Sequence, residues 1–596
     1  MVMKRIHIVA ACLLILTGCE KALDTKVTWQ IGDEDVWRVP ELAMGVLHKA
    51  YNGISNRPDC YDENFLDAAT DNAVCSGYNL SVSRLSQGAM TSFNNPIGNW
   101  STAYNMLEYV NAFLENGLTD ELRYNRVDDS IDAAIKNRLR GEAYFLRAWW
   151  HFELLKVYGG KCADGVARGI PHADHFISLE EASDNGLFVR PTYQATVNFI
   201  CSDLDKAMEL LPMTYEGTDQ YVGATQDGRA TKAAAAVLKS RVLVYGASPA
   251  MQDDNVVKIT DMGEYEIVNP ELYRMKWAKV AGQIAELLSL DGFGTYVPLL
   301  PENISDVQAE SADFAFRKYF NSNNLEANHF PPYYFGKAQT VPSHNLVKAF
   351  CARNGYPLTD PRSGVCLDEE NADITYAVTL ADSRLARTVY CQDDIFGDTE
   401  VSLDMSDGGK DSREYNENAT RTGYYLAKFI SRKSALLNPV QKSNSAHYNP
   451  LLRRSEMLFN YAEAANEAFG PNVAAPGTSL TAYSVIKSVR ATGGDIVSDS
   501  WIDECAAGKD SFRSLIQNER RIEFAFENQR YFDMRRWLLP LDEDIFGVEV
   551  TRNSDNTVSF RAVKVEGRKY GVNSYYAPLP YTELAKNPGL VNNVGW

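Results

Sequence analysis

Between Leu139 and Val157 the apolar residues Leu139, Ala143, Leu146, Trp150, Leu154 and Val157 recur at intervals of three and four. That spacing lays one apolar stripe along a long helix, and such a stripe has to be covered by another element. Tyr158-Gly159-Gly160 stops the run. The same period predicts a helix from Ala43 to Ile54, two long helices around a polar turn over 100–158, and a pair at Thr192–Leu211 and Thr231–Gly246. It predicts further helices at Arg274–Leu290, Leu451–Ala468, Tyr483–Arg490 and Phe512–Trp537. Paired helices with one apolar face each define a mostly α fold of tetratricopeptide-like pairs, although no repeat of about 34 residues is visible. From 291 to 440 the period fades into Gly, Pro, Asn, Asp and Tyr, so loops and short strands are expected there. Ligand residues belong most naturally on such loops, held by the helical scaffold.

The chain of 596 residues carries a formal net charge of -19. That balance argues against nucleic acid, whose binding rests on neutralising phosphates with Lys and Arg, and it repels anionic membrane surfaces. One stretch looks different. "RRIEFAFENQRYFDMRRW" (520–537) holds five arginines, three acids and five aromatics. On a helix, Glu519, Glu523 and Glu527 fall on one line and repel each other unless arginines interleave, which makes the stretch a structural ion network. A glycosidase needs two carboxyls facing each other across a cleft. A single helix stripe does not supply them, and HExxH, GxSxG, GxxxxGK and GxGxxG are all absent. No catalytic residue and no enzyme activity are expected. His172, Asp174 and His175 in "HADH" are weak metal candidates. "DMSDGGKDS" (404–412) has the composition of a calcium loop without the EF-hand spacing. No metal site or cofactor is therefore assigned, and structural calcium stays an open alternative.

The first residues set the compartment. Lys4 and Arg5 precede the apolar run Ile6–Leu16, too short to span a bilayer and suited to a signal peptide. Leu16-Thr17-Gly18-Cys19 resembles a bacterial lipobox, so residues 1–18 are read as a signal peptide, Cys19 as the lipidated residue and 19–40 as a tether. A lipid at Cys19 would be the membrane anchor, with no spanning helix. Export permits disulfides, and Cys60/Cys75 or Cys351/Cys366 lie close enough in sequence to pair, with single buried thiols as the alternative.

Several blocks carry a resemblance in order: "WSTAYNMLEYVNAFLEN" (100–116), "RGEAYFLRAWWHFELLKVYGG" (140–160), "RATKAAAAVLKSRVLVYGASP", "LLRRSEMLFNYAEAANEA", "AYSVIKSVRATGG", "LIQNERRIEFAFENQRYFDMRRW" and "YYAPLPYTELAKNPGLVNNVGW". Together with Cys19 they resemble the SusD/RagB family of surface glycan-binding lipoproteins. Lys487 stands where that family usually has Asn, and "KCADGVARGIPHADHF" extends the usual turn after Gly160. The resemblance implies a SusD-like fold, with helix pairs on one side and an irregular ligand-binding side. It divides the chain into an N-terminal helical region (41–290), a loop-rich insertion (291–440) and a C-terminal region (441–596), the three forming a single compact body. It implies a protein lipid-anchored at the cell surface in the outer membrane, which captures a glycan and acts as lid for a TonB-dependent SusC-like barrel. A peptide ligand, or a scaffold binding only that barrel, are the alternatives. Sugar sites pair an aromatic ring with a rim of polar groups in a mostly apolar surface. The candidate ligand residues are Asp71, Tyr78, Asn79, Tyr319, Asn323, Tyr333, Tyr334 and Phe335, with "FNNPIGNW" (93–100) as a further candidate segment. Trp100 and Trp277 are assigned to the scaffold.

Overall fold

The computed structural model describes residues 33–77, 80–178, 181, 188–290, 293, 296–367 and 373–596. Cys19, the leader and most of the tether lie outside the described residues. The scaffold begins with α1 (Pro40–Asn52), α2 (Trp100–Asn116) and α3 (Asp129–Tyr158). It continues through α4 (Tyr193–Leu210), α5 (Lys232–Ala247) and α6 (Pro270–Leu288). After the insertion come α7 (Arg454–Phe469), α8 (Ala482–Gly493), α9 (Lys509–Glu523) and α10 (Arg530–Arg536). Local chemistry sets the starts. Asp128 accepts the free amides of Ser130 and Ile131, Thr192 and Thr231 each cap one amide, and Asn269 caps ahead of Pro270. α3 packs on α2 and α4, α4 on α5, and α5 on α6. α7 then lies against both α5 and α6 and carries α8 and α9 on its other sides, so the C-terminal helices extend the stack that the N-terminal ones begin. One contiguous core runs from Leu47 to Ala577 and includes Trp277, while Trp100 packs half-buried against it. Gly160 sits where a β-carbon would lie 2.4 Å from the Tyr576 ring, so the end of α3 and the C-terminal segment approach as only glycine allows.

The strands are short and paired in twos. β1 (Ala73–Cys75), β2 (Phe314–Ser322), β3 (Thr340–Pro342), β4 (Ser445–Arg453), β5 (Ile545–Arg552) and β6 (Val558–Glu566) form the antiparallel pairs β1–β3, β2–β4 and β5–β6. Two expectations change here. Leu451–Arg453 is not helical: Leu452 pairs with Phe316 across β4 and β2, and the helix starts only at Arg454. The predicted helix over 512–537 is two helices. Between them Phe526 and Asn528 take left-handed backbone (φ 63° and 58°). There the Phe526 amide donates to Asp67, and the Asn528 side chain bonds the Leu66 amide and the Pro58 carbonyl, so tertiary bonds replace helical ones.

The acidic line along α9 is answered by arginines from distant segments. Glu519 meets Arg384 at 2.9 Å and Arg490; Glu523 meets Arg453 at 2.6 Å. Glu527 has left the helix but still contacts Arg453 and Lys428, both at 2.8 Å. Arg520 and Arg536 share Asp533, and Arg536 also holds Glu463. Burial pushes the carboxyls of Glu519, Glu523 and Asp533 up, and the neighbouring arginines more than offset it, holding all three below the usual range. The stretch is framework. All eight cysteines among the described residues are free thiols, so neither Cys60/Cys75 nor Cys351/Cys366 is joined.

Two buried histidines make stability depend on pH. The His151 Nδ1–H donates to the Arg147 carbonyl (2.8 Å) and its Nε2 accepts the Ala173 amide (3.0 Å), a network only the neutral ring completes. Burial lowers the pKa of His151 to about 3, and burial with nearby Lys348 does the same to His344. The unfolded chain takes up these protons near its ordinary pKa of about 6.5. Below that value it binds more protons than the folded chain, so stability falls as pH drops. Each histidine removes about 1.4 kcal/mol per pH unit once pH is well below 6.5. Unfolding midpoints measured from about pH 7.5 to pH 5 should therefore decline from the histidine range downward, before ordinary carboxylates near pH 4 titrate. A flat profile over that interval would contradict this assignment.

Candidate functional site

Antiparallel pairing of β1 with β3 sets Cys75 opposite Thr340 and brings two loops side by side. Ser76 donates to the Gln339 carbonyl at 2.8 Å and, through its hydroxyl, to the Ala338 carbonyl. The preceding turn joins them, since Glu63 meets Gln339 at 3.3 Å and Lys337 at 3.7 Å. Four non-glycine residues adopt left-handed backbone in these segments: Asp62 (φ 58°), Glu63 (59°), Phe335 (67°) and Ala338 (45°). Each costs about 1–2 kcal/mol, and such strain gathers where a surface has to hold a set shape.

Pro331-Pro332 starts a short 3₁₀ turn over Pro332–Tyr334 that aims successive rings in different directions. Tyr333 (46% exposed) and Phe335 (58%) face outward, while Tyr334 turns in and stacks on Phe396 at 4.3 Å. The Lys410 ammonium lies 4.8 Å over the Tyr333 ring and 5.5 Å from that of Tyr334, and is held at 2.5 Å by the buried Asp411. The result is two exposed rings on one turn, Tyr333 beneath Lys410 and Phe335 on left-handed backbone, with Lys337 and Glu63 paired on the adjoining loops.

The other expected residues do not all gather here. Asp71 is buried and its carboxylate is held by Arg530 (2.9 Å) and Arg521 (3.1 Å). Burial raises its pKa, but the two guanidiniums win and keep it well below the usual range. Asp71 therefore secures α10 to the strand edge and has no face for a ligand, which corrects its expected role. Tyr78 and Asn79 lie outside the described residues. Tyr334 serves mainly as support. Tyr319 stands on β2 and lines a different groove, where none of 333–335 appears. Asn323 spends its amide on the Ser443 carbonyl (2.8 Å).

Sequence reading missed Lys410 and Phe396, which no local pattern marks because they arrive from a separate loop. It also missed the partner of Phe93, a ring 79% exposed that stacks on Tyr581 at 4.4 Å. Neither weak metal candidate forms a ligand set. His172 stacks on Phe199 and bonds Thr196, and the Asp404 Oδ1 accepts from Ser406, Gln392 and Arg552. Among the described residues no group of three or more His, Cys, Asp or Glu is placed to hold a metal.

Phe335→Gly separates shape from contact. Glycine adopts φ 67° without strain, so the unfolding midpoint should shift by less than about 1 kcal/mol equivalent, while affinity for a ligand stacked on the ring falls. A large loss of stability in thermal melts would show the ring to be packing instead.

A stack of helix pairs bearing an irregular face of strained loops and outward rings defines a class of helical scaffold with a grafted surface site. The chain belongs to the SusD/RagB family. A model described as "SusD family" matches residues 303–596, and one described as "Starch-binding associating with outer membrane" matches 23–244. SusD-like protein P2 of Formosa agariphila is 23% identical over 503 residues, covering 83% of this chain and 80% of its own. A crystal structure of a SusD-like protein from Bacteroides fragilis superposes with a TM-score of 0.68 at 23% identity, over 95% of this chain and 99% of that one. A SusD-like carbohydrate binding protein from the same species gives 0.66 at 21% identity, over 93% and 99%.

Proposed function

We propose that this protein is a non-enzymatic, cell-surface lipoprotein that captures a glycan on the Tyr333–Phe335 surface. Its lipid would sit on Cys19, and its partner would be a TonB-dependent SusC-like barrel in the outer membrane, over which it acts as a lid. The observation that carries the ligand class is a pair of outward rings, Tyr333 and Phe335, held in place by strained backbone beside Lys410. A pyranose offers an apolar face to such a ring and hydroxyls to the polar rim. The similar carbohydrate binding protein from Bacteroides fragilis supports the same ligand class. The test is calorimetry on the soluble chain from Glu20 onward, against plant, mucin and microbial glycans and a mixed peptide pool. Saturable glycan binding that weakens in Tyr333→Ala supports the reading. Binding of peptides alone, or of neither pool, overturns it.

A further inference from the structure

A second groove lies away from the Tyr333 surface, along the edge of β2 that makes no strand pairing among the described residues. It encloses about 580 Å³ and is bounded by the end of α1, the loop around Asp227–Arg229, and Arg317, Lys318 and Tyr319 of β2. A further hollow of about 680 Å³ shares Asp227, Arg229 and Arg317 with it. Tyr319 is 55% exposed and stands opposite Tyr448 in register, the two rings 5.6 Å apart. Arg317 lies on the same face, 5.4 Å over Tyr448 and bonded to Asp227 and Glu310 at 2.5 Å. Its buried Nε finds no acceptor. Lys318 points to the other side of the strand, where its ammonium donates to the Tyr51 carbonyl at 2.8 Å. No carboxylate pairs with it among the described residues, and burial alone lowers its pKa. Of the three cations that line the groove, Arg229 is paired with Glu142 and Arg317 with Asp227 and Glu310, so Lys318 is the one left without a carboxylate among the described residues.

We propose that this edge groove is a second glycan site selective for acidic sugars, one that takes uronic-acid units. Neighbouring strand residues point to opposite faces, so an oligosaccharide laid along the edge reaches both. A ring face covers Tyr319, and a carboxylate supplies the counter-ion that Lys318 lacks. The site is independent of the Tyr333 surface. Burying an ammonium without a counter-ion is unfavourable, and an anionic ligand removes that deficit where a neutral one leaves it.

The test uses galacturonate, glucuronate and mannuronate trisaccharides and their methyl esters, which keep the rings and lose the charge. At least one acid should bind about tenfold more tightly than its ester, the scale of one charge-assisted hydrogen bond. Lys318→Gln should abolish that preference, Tyr319→Ala should weaken acid and ester alike, and Tyr333→Ala should leave both unchanged. Should Lys318→Gln fold poorly, salt dependence on the unaltered protein replaces it: added salt should weaken the acid and spare the ester. Equal affinity for acid and ester, no binding of any acid, or indifference to Tyr319→Ala overturns the proposal. Loss of acid binding in Tyr333→Ala would place the acid on the other surface and also overturn it.

Discussion

Arg453→Met is expected to destabilise the fold by about 3–5 kcal/mol, the range for breaking one side of a buried ion network. Arg453 is 1% exposed and bonds Asp313 (2.6 Å), Glu523 (2.6 Å) and Glu527 (2.8 Å). Removing it takes a cation from three buried carboxylates. Lys428 still serves Glu527, and Arg384 stands 3.7 Å from Glu523, but among the described residues no second cation forms an ion pair with Asp313. Methionine fills much of the volume, so the loss reads charge rather than a cavity. Urea unfolding measures it, with Arg561→Ala as control. Arg561 pairs with Glu549 on the exposed β5–β6 ribbon, and removing it should change stability by less than about 1 kcal/mol. An Arg453→Met loss no larger than the control's would show that the carboxylates are solvated after all.

Tyr333→Ala is expected to weaken glycan binding about thirtyfold, near the 2 kcal/mol of an aromatic contact that dominates a binding surface. The ring is half exposed and its direct partners are Tyr334, edge-on at 5.2 Å, and Lys410. Folding should therefore be indifferent to its loss, with melting temperatures of mutant and parent agreeing. Titration with the best glycan of the panel provides the check. An unchanged affinity would move the ligand off this surface, and a lowered melting temperature would leave the affinity change uninterpretable as contact alone.

The scaffold was legible because helical period is local. The stripe through Leu139 and Val157, the caps at Asp128 and Thr192 and the stop at Gly159 all sit in the segment they shape. The break after Glu523 was not, because Asp67, Leu66 and Pro58 impose it on Phe526 and Asn528 from across the molecule. The site divides in the same way. The Tyr333–Phe335 run is conspicuous as sequence, but whether a ring faces out or in depends on Phe396 and Lys410, which belong to another loop. Asp71 looked like a ligand carboxylate beside Tyr78, and only the tertiary fold brings Arg521 and Arg530 onto it.

The first and last parts of the chain complete each other. Arg190 donates to the Val591 carbonyl and to Asn593, Asn593 bonds the Tyr158 carbonyl, and Asp71 waits for Arg521 and Arg530. Without residues 521–593, Arg190 keeps the carbonyls of Gly169, Tyr158 and Arg168, while the buried Asp71 loses both of its cations, and a buried charge without a partner is unfavourable. Closure of the N-terminal helices is therefore coupled to the docking of residues 521–593.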